Sequence, residues 1–326
     1  MSGLRQRNIK SSMKGSKAAD GTKPSILQKV RFAAEDVIFN RAMRETNAQR
    51  IEQMTVWPYI VTFVVFFTFS LYLVDYLHHM DDNTLAFAAD EHHFVYRKVP
   101  CSNDYDQTFK GCVPQVCGRA VQDQLVEEKD IKTLRGMVER VMKYGGGSGG
   151  ATILDLHTGA LSYKDKFINI YKVTQQEIFS EDEIRAYVRV KDKILEAIAS
   201  TFKIHKSRLY LTKPTFFSRL TNQTAVTSHD EYWHPHIDKV TYGSFYYTSL
   251  LYLTTYGDDF AGGRFVFKDK AENMTVEPRV GRVSYFTSGR ENEHFVEKVE
   301  SGTRYAITVS FTCDPKQKIE NPKTKQ

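Results

Sequence analysis

The sequence predicts an α+β protein with a mainly β domain in its C-terminal half, helices packed in front of that domain, and one transmembrane helix before both. Three observations predict this class. After Arg208 the chain breaks into short β-branched and aromatic segments separated by Gly, Asn and Asp, as strands do. Before them, apolar residues recur at helical spacing. Nearer the N-terminus lies an uncharged stretch of 21 residues, long enough to cross a bilayer.

The uncharged stretch runs from Met54 to Val74 and consists largely of Val, Phe, Leu and Ile. As a helix it is about 30 Å long, the thickness of a bilayer core. A core helix of this length normally carries a polar stripe, so we favour a membrane span over a buried helix. A cleaved signal peptide is disfavoured because 53 residues precede the stretch and no small-residue cleavage site follows it.

Charge is distributed unevenly about this span. Residues 1–52 hold 11 Lys and Arg against 5 Asp and Glu, whereas the rest of the chain holds 34 of each sign. Residues 75–96 contain five acids and neither Lys nor Arg. The positive-inside rule therefore predicts a type II signal anchor, with the C-terminal portion luminal (endoplasmic reticulum or secretory pathway) or extracellular. Because the folded portion is neutral, we expect no nucleic-acid partner.

The patterns of composition and charge predict that the chain is divided into six segments. The tail is polar and expected to be largely disordered, although residues 26–51 carry a mixed pattern that allows a helix. The predicted segments are a cytoplasmic tail (1–53), the anchor (54–74), a luminal stem (75–100), a Cys-containing helical region that packs on the β domain (101–205), the β domain (206–314) and a C-terminal tail (315–326).

All four cysteines follow the span, on the side where disulfides persist. Four cysteines allow three pairings, and the sequence does not choose between them. Their clustering indicates at least one short loop, whereas a zinc site is disfavoured because no second ligand pair lies nearby. Asn222 and Asn273 begin N-x-Thr glycosylation sequons on the same side. The cysteines are Cys101, Cys112, Cys117 and Cys313.

Two helices are predicted within residues 101–205. Apolar residues from Ile131 to Met142 fall at helical spacing. Ser180 and Glu183 form a capping box at the start of a second amphipathic helix that reaches Phe202. The glycine-rich stretch "YGGGSGG" lies between them, and no Lys-Ser/Thr follows it, so we interpret it as a turn and not as a phosphate loop.

A metal constellation is indicated within the β domain. His236-Ile-Asp238 is an H-x-D pattern, and on an extended chain residues i and i+2 face the same side. One histidine follows it, His294, 56 residues after Asp238 and at the start of a predicted strand. Distant strands are neighbours in a two-sheet barrel. Two histidines and one carboxylate form the facial triad of non-haem Fe(II) oxygenases.

A basic residue in the last strand favours iron over zinc. Arg304 lies ten residues after His294 in "GTRYAITVSFT", and a buried arginine requires an anionic partner. A guanidinium takes a carboxylate in bidentate fashion, and 2-oxoglutarate offers one beyond its metal-chelating end. Thr308 lies on the same strand face as Arg304, and Tyr252 in "SLLYL" is a candidate hydroxyl donor to the same carboxylate.

These residues resemble the 2-oxoglutarate- and Fe(II)-dependent oxygenases of the prolyl 4-hydroxylase type. The H-x-D, the distal histidine and the arginine ten residues later match that family's pattern, and "SLLYLTTYGDDFAGGRFVF" is similar to its strand, acidic loop, Gly-Gly and strand segment. The resemblance implies a double-stranded β-helix, or jelly roll, with His236, Asp238 and His294 on iron and Arg304 on 2-oxoglutarate. Tyr252 and Thr308 match family positions less closely. The family's prolyl hydroxylases also use L-ascorbate to return oxidised iron to Fe(II).

The implied activity is hydroxylation of a side chain, proline by analogy, in a luminal protein or peptide, with release of succinate and CO2. Two alternatives remain. A membrane-tethered binding or scaffold protein would keep the fold without turnover. A zinc hydrolase would use the same triad, but it needs a general base near the bound water and gives Arg304 no task.

Overall fold

The computed structural model describes residues 26–80, 83–174 and 178–322. The chain divides into two units, Met1–Leu77 and His78–Gln326. The tail expected to be disordered before residue 26 lies outside the described residues.

The described residues of the first unit all lie in one long helix, α1 (Ile26–Met80), which ends three residues after Leu77. Residues 26–53 therefore lie in this helix and not in a disordered tail, and (i, i+4) pairs such as Arg41 with Glu45 (3.3 Å) support it. The 19-residue segment Val56–Val74 of α1 is long and apolar enough to cross a membrane, and none of it is buried inside the protein.

The second unit is built on a sheet of eleven strands. Its pairing is antiparallel except between β4 and β6, which run parallel. In spatial order the strands are β2 (Val95–Val99), β3 (Cys117–Gln122), β13 (Val283–Thr287), β9 (Tyr247–Tyr252), β15 (Val299–Thr312), β8 (Tyr210–Thr221), β5 (Ala151–Leu154), β6 (Ala160–Lys164) and β4 (Gly146–Gly147), while β10 (Phe260–Gly262) pairs with β15 and β7 (Lys166–Asn169) with β6.

A smaller sheet of four strands faces the inner side of the larger one. Its order is β1 (Asn83–Ala86), β12 (Met274–Val276), β11 (Phe265–Phe267) and β14 (His294–Val296). An apolar core fills the space between the sheets, because alternate residues of each strand point inward. This core includes Leu250, Tyr252 and Ala306 from the larger sheet and Phe265 and Phe267 from the smaller. The predicted mainly β architecture is therefore present.

Helices cover the outer face of the larger sheet, as predicted. They are α2 (Glu128–Val141), the short α3 (Ile170–Val173) and α4 (Glu181–Thr201). Ser180 Oγ accepts a hydrogen bond from the Glu183 backbone N–H, and the Glu183 carboxylate accepts one from the Ser180 N–H. This confirms the capping box. Phe202 follows α4 and packs on Tyr247, with ring centroids 5.3 Å apart.

Residues 83–99 are part of the sheets and not a free stem. β1 pairs in parallel with β12, and β2 pairs with β3. The fully buried Arg282 holds this segment: its guanidinium donates to the backbone carbonyls of Phe87 (2.9 Å) and Asp90 (2.7 Å) and to both oxygens of Asp123 (2.9 Å each). The expectation of a stem up to residue 100 is corrected accordingly.

Residues 101–205 are likewise not a separate helical region. β3, β5 and β6 belong to the larger sheet, and β5 pairs with β8 along its length. These strands are only four to six residues long, too short for their period to distinguish them from loops.

Two disulfides close the second unit. Cys101 pairs with Cys117, which forms the short loop expected from the clustering, and Cys112 pairs with Cys313 across 201 residues. The sequon residues Asn222 and Asn273 are both exposed.

Candidate metal centre and co-substrate pocket

Three side chains meet between the two sheets. His236, Asp238 and His294 each offer one ligand atom, and these atoms lie within 4.8 Å of one another. Asp238 Oδ1 is 3.5 Å from His236 Nε2 and 3.7 Å from His294 Nε2. The side chains of Asp238 and His294 are buried, whereas that of His236 is 35% exposed. The group is therefore open to solvent on the side of His236.

Backbone pairing brings the two histidines together. The His236 N–H donates to the His294 carbonyl (2.9 Å), and the His294 N–H donates to the His236 carbonyl (3.0 Å). β14 begins at His294, as predicted. The chain is extended through Ile237, but Asp238 is already the first residue of a short helix, α5 (Asp238–Tyr242). The expectation that one extended strand carries the whole H-x-D pattern is thus corrected.

Asp238 presents one oxygen to the histidines because its other oxygen is held. Asp238 Oδ2 accepts a hydrogen bond from Thr248 Oγ1 (2.6 Å), which in turn lies 2.9 Å from Ser288 Oγ. Burial alone would raise the pKa of Asp238, but the nearby His294 and His236 and the hydrogen bond from Thr248 lower it below the usual value. The carboxylate is therefore ionised and suited to a single metal bond.

Both imidazoles are oriented with Nε2 toward Asp238. His294 Nδ1 lies 2.9 Å from the Asn292 carbonyl oxygen, and His236 Nδ1 lies 3.1 Å from the His234 carbonyl oxygen. A carbonyl oxygen only accepts, so these contacts place the proton on Nδ1 and leave the Nε2 lone pair for a metal.

The pKa values of the two histidines are shifted in opposite directions. Burial lowers the pKa of His294 to about 4, so this imidazole is neutral at physiological pH, as a metal ligand must be. Phe265 and Phe286 enclose its ring at centroid distances of 4.9 Å each. Burial also disfavours the charged form of His236, but its contact with Asp238 outweighs burial and raises the pKa.

Arg304 occupies an inner-face position of β15, opposite Leu220 of β8, and is 1% exposed. Its Nε and Nη2 have no hydrogen-bond partner, and no carboxylate among the described residues pairs with it. Burial lowers the pKa of this guanidinium. Because an unpaired buried cation is costly, the surroundings of Arg304 suit an anionic ligand.

Tyr252, on β9, lies beside this arginine. The Arg304 guanidinium carbon is 5.4 Å from the Tyr252 ring centroid. The buried Tyr252 hydroxyl makes no hydrogen bond of normal geometry, and burial raises its pKa to about 12. It is therefore a neutral donor in need of an acceptor. A carboxylate would satisfy both groups, so the residues present fit 2-oxoglutarate. Thr308 is half-buried four residues beyond Arg304, opposite Leu250, and its role stays a prediction.

Three residues that hold the metal-facing side chains in place could not be identified from the sequence. Thr248 holds Asp238, Asn292 holds His294, and the buried Arg119 donates to the Asn292 side chain (2.6 Å). Asn292 lies two residues before His294, a distance at which backbone contacts are common. Nothing in the local pattern around Thr248 or Arg119 signals a role, because their partners lie 10 and 173 residues away.

Comparison with known proteins agrees with this geometry. Residues 222–312 match the 2OG-Fe(II) oxygenase superfamily. The chain is 54% identical over 230 residues to a Homo sapiens protein named 2-oxoglutarate and iron-dependent oxygenase domain-containing protein 3, covering 69% of this chain and 72% of that protein. The chain therefore belongs to the 2OG-Fe(II) oxygenase superfamily, an oxidoreductase class. The resemblance drawn from the motifs is confirmed.

More distant similarities are also present. Prolyl 3-hydroxylase 1 of Mus musculus is 26% identical over 221 residues, covering 61% of this chain and 29% of that protein. A solved structure of a Trichoplax adhaerens prolyl hydroxylase bound to a hypoxia inducible factor peptide fragment is 15% identical, with a TM-score of 0.42, covering 60% of this chain and 83% of the other.

Proposed function

We propose that the protein is a membrane-anchored Fe(II)- and 2-oxoglutarate-dependent dioxygenase built on a double-stranded β-helix. One observation carries the proposal: the structure holds a His-Asp-His group, in which His236 and Asp238 meet His294 of β14, together with an unpaired buried arginine on the inner face of β15. Family membership implies Fe(II) and 2-oxoglutarate as cofactor and co-substrate. His236, Asp238 and His294 would hold the iron, and Arg304 with Tyr252 would bind the far carboxylate of 2-oxoglutarate, with Thr308 beside it.

When bound, Fe(II) with 2-oxoglutarate and O2 supplies hydroxylation of a C–H bond, with succinate and CO2 as the other products. The residues of the chain position these groups. Thr248 holds one oxygen of Asp238, so that the other would bind the metal, and the Asn292 and His234 carbonyls fix the histidine tautomers. The phenylalanines around His294 exclude water from one side of the centre. We include L-ascorbate in the proposal as the reductant that restores Fe(II).

We propose a luminal protein or peptide as the substrate, with proline as the side chain hydroxylated. The support is the similarity to proteins named prolyl 3-hydroxylase and the position of His236 at the open side of the group. The exposed apolar segment Val56–Val74, the acidic flank after it and two disulfides support a type II anchor with this unit in an oxidising compartment. Glycosylation at Asn222 and Asn273 belongs to the same topology.

Succinate release from 2-oxoglutarate tests the proposal. Wild-type protein with Fe(II), ascorbate and a library of luminal peptides is expected to release succinate, and Asp238→Ala is expected to abolish it. Asp258→Ala, which alters an exposed carboxylate in the loop before β10, is the matched control and should retain turnover. Undiminished release by Asp238→Ala would refute the assignment.

The same preparations separate the alternatives. Binding of iron and 2-oxoglutarate without succinate from any peptide would favour a catalytically silent binding or scaffold protein. Zinc in anaerobically purified protein, with hydrolysis and no dependence on 2-oxoglutarate, would favour the hydrolase.

A further inference from the structure

Arg119 lies on β3, more than 100 residues before the segment that matches the oxygenase superfamily. It is 1% exposed. Its Nε donates to Asn292 Oδ1 (2.6 Å), and its Nη1 and Nη2 donate to the two oxygens of Asp269 (2.6 and 2.5 Å). Nη2 also lies 3.3 Å from the Glu291 carbonyl oxygen. These charge-assisted bonds use the full fork of the guanidinium, so its orientation is fixed.

Asn292 connects this fork to the metal-facing histidine. Its side-chain amide donates to the Thr287 carbonyl (2.7 Å) and lies 3.1 Å from the Thr287 hydroxyl. With Oδ1 held by Arg119, the fully buried Asn292 is bonded at both side-chain atoms. Its backbone carbonyl, held in place by these bonds, is the acceptor for His294 Nδ1–H. The position of the Asn292 carbonyl thus sets the direction of His294 Nε2.

Asp269 connects the fork to the neighbouring strand. It follows β11, in which Phe267 is the register partner of His294 in β14. The Arg119 guanidinium carbon lies 4.2 Å from the Phe267 ring centroid, and the Phe267 ring is 6.3 Å from that of His294. Arg119 therefore joins Asn292, two residues before β14, to Asp269, two residues after the strand β11 that pairs with β14.

We propose that Arg119 is a positioning residue for the metal centre, which acts by holding the Asn292 carbonyl and the β11–β14 pair so that His294 Nε2 meets the other two ligands. The inference rests on the proposed function in so far as the centre binds a metal. Groups that orient a metal-bound histidine typically contribute about 10- to 100-fold to metal affinity, which is the size of the effect expected here.

Direct metal binding tests this without turnover. Co(II) is titrated anaerobically into the metal-free full-length protein, and its absorption spectrum reports both affinity and coordination. Arg119→Met is expected to weaken Co(II) binding by about 10- to 100-fold and to change the spectrum. Arg282→Met is the matched control: this arginine is equally buried and paired with an aspartate, but none of its bonds reaches the residues that flank His294. Its Co(II) affinity and spectrum should equal those of the wild type.

The outcomes are distinguishable. If wild-type protein binds no Co(II), the proposed function fails. If the wild type binds Co(II) and Arg119→Met binds it equally with an unchanged spectrum, the positioning role is overturned. The role is also overturned if Arg119→Met and Arg282→Met lose Co(II) affinity to the same extent. Should an arginine variant fail to fold, Asp269→Asn replaces Arg119→Met as the test, and Asp123→Asn replaces Arg282→Met as its control. Asp269→Asn is a milder change because the Asp269 side chain is 34% exposed. A weaker Co(II) affinity only in Asp269→Asn supports the role, and equal affinities overturn it.

Discussion

Arg282, immediately before β13, and Arg304, on β15, are both buried arginines. They differ in whether the protein provides hydrogen-bond partners for the guanidinium. Arg282 donates to both oxygens of Asp123 and to several backbone carbonyls. Arg304 has two nitrogens without partners, and the Tyr252 hydroxyl beside it makes no hydrogen bond of normal geometry. A buried charge must be compensated. At Arg282 the protein itself supplies the compensating carboxylate and carbonyl groups, and these bonds hold residues 86–90 in place. At Arg304 the described residues supply no such anion, which is what the proposed binding of 2-oxoglutarate requires.

The largest expected effect is on stability at the paired site. Arg282→Met removes the partner of the buried Asp123 and releases the carbonyls of residues 86–90, so the free energy of unfolding should fall by about 3–5 kcal/mol. Urea denaturation of the ligand-free protein measures it. A loss below 1 kcal/mol would mean that Arg282 does not hold this segment.

Arg304→Met should change stability in the other direction. Removing an unpaired charge is expected to stabilise the ligand-free protein by about 1–4 kcal/mol. In the presence of metal, the affinity for 2-oxoglutarate should fall by about 2–5 kcal/mol, the usual cost of removing one partner of a buried charged pair. Urea denaturation and calorimetric titration check the two parts. If the variant loses stability and keeps its affinity, Arg304 is structural and the contrast with Arg282 disappears.

Ligand addition sharpens the same contrast. With a divalent metal under anaerobic conditions, 2-oxoglutarate at about 100 times its Kd should stabilise the wild type by about 2.7 kcal/mol. Arg282→Met should show the same increment from its lower baseline, and Arg304→Met should show less than about 1 kcal/mol at that concentration. Thermal denaturation with and without 2-oxoglutarate measures all three, and an equal shift in Arg304→Met would place the ligand elsewhere.

The smallest effect is expected at the tyrosine. Tyr252→Phe removes one neutral donor, so 2-oxoglutarate binding should weaken by about 1 kcal/mol. The ligand-free protein should lose no stability, because the hydroxyl has no partner of normal geometry to lose. Calorimetry on this variant beside Tyr285→Phe, whose hydroxyl lies 3.0 Å from Thr201 on the outer face, separates the pocket from a general effect of losing a phenol.

Sequence reasoning located the groups with distinctive chemistry. His236, Asp238 and His294, which the structure brings together, and the unpaired Arg304 could be singled out because few residue types suit iron or a carboxylate and their spacing is that of a known family. The capping box of Ser180 and Glu183 could also be predicted, because the two residues are only three positions apart in the chain. Local rules suffice wherever the interacting groups are close in the chain or chemically unusual.

The remainder depends on pairings between distant residues. β1 is four residues long and its partner β12 lies about 190 residues later, so no local pattern distinguishes it from a stem. Thr248 and Arg119 are ordinary strand residues until the fold places them against Asp238 and Asn292. The choice among three disulfide pairings likewise follows from which strand ends meet, and composition carries no information about that.

The Cys112–Cys313 bond makes almost the whole second unit a covalently closed ring. A protease that cuts a surface loop anywhere between these residues opens the ring without dividing the molecule. Both fragments then migrate as one species until a reductant is added. A single nick anywhere between Cys101 and Cys313 therefore cannot separate the oxygenase fold from the N-terminal helix, because one of the two disulfides always spans it. Separation requires a cut before Cys101, whereas two cuts between Cys117 and Cys313 would release the piece between them.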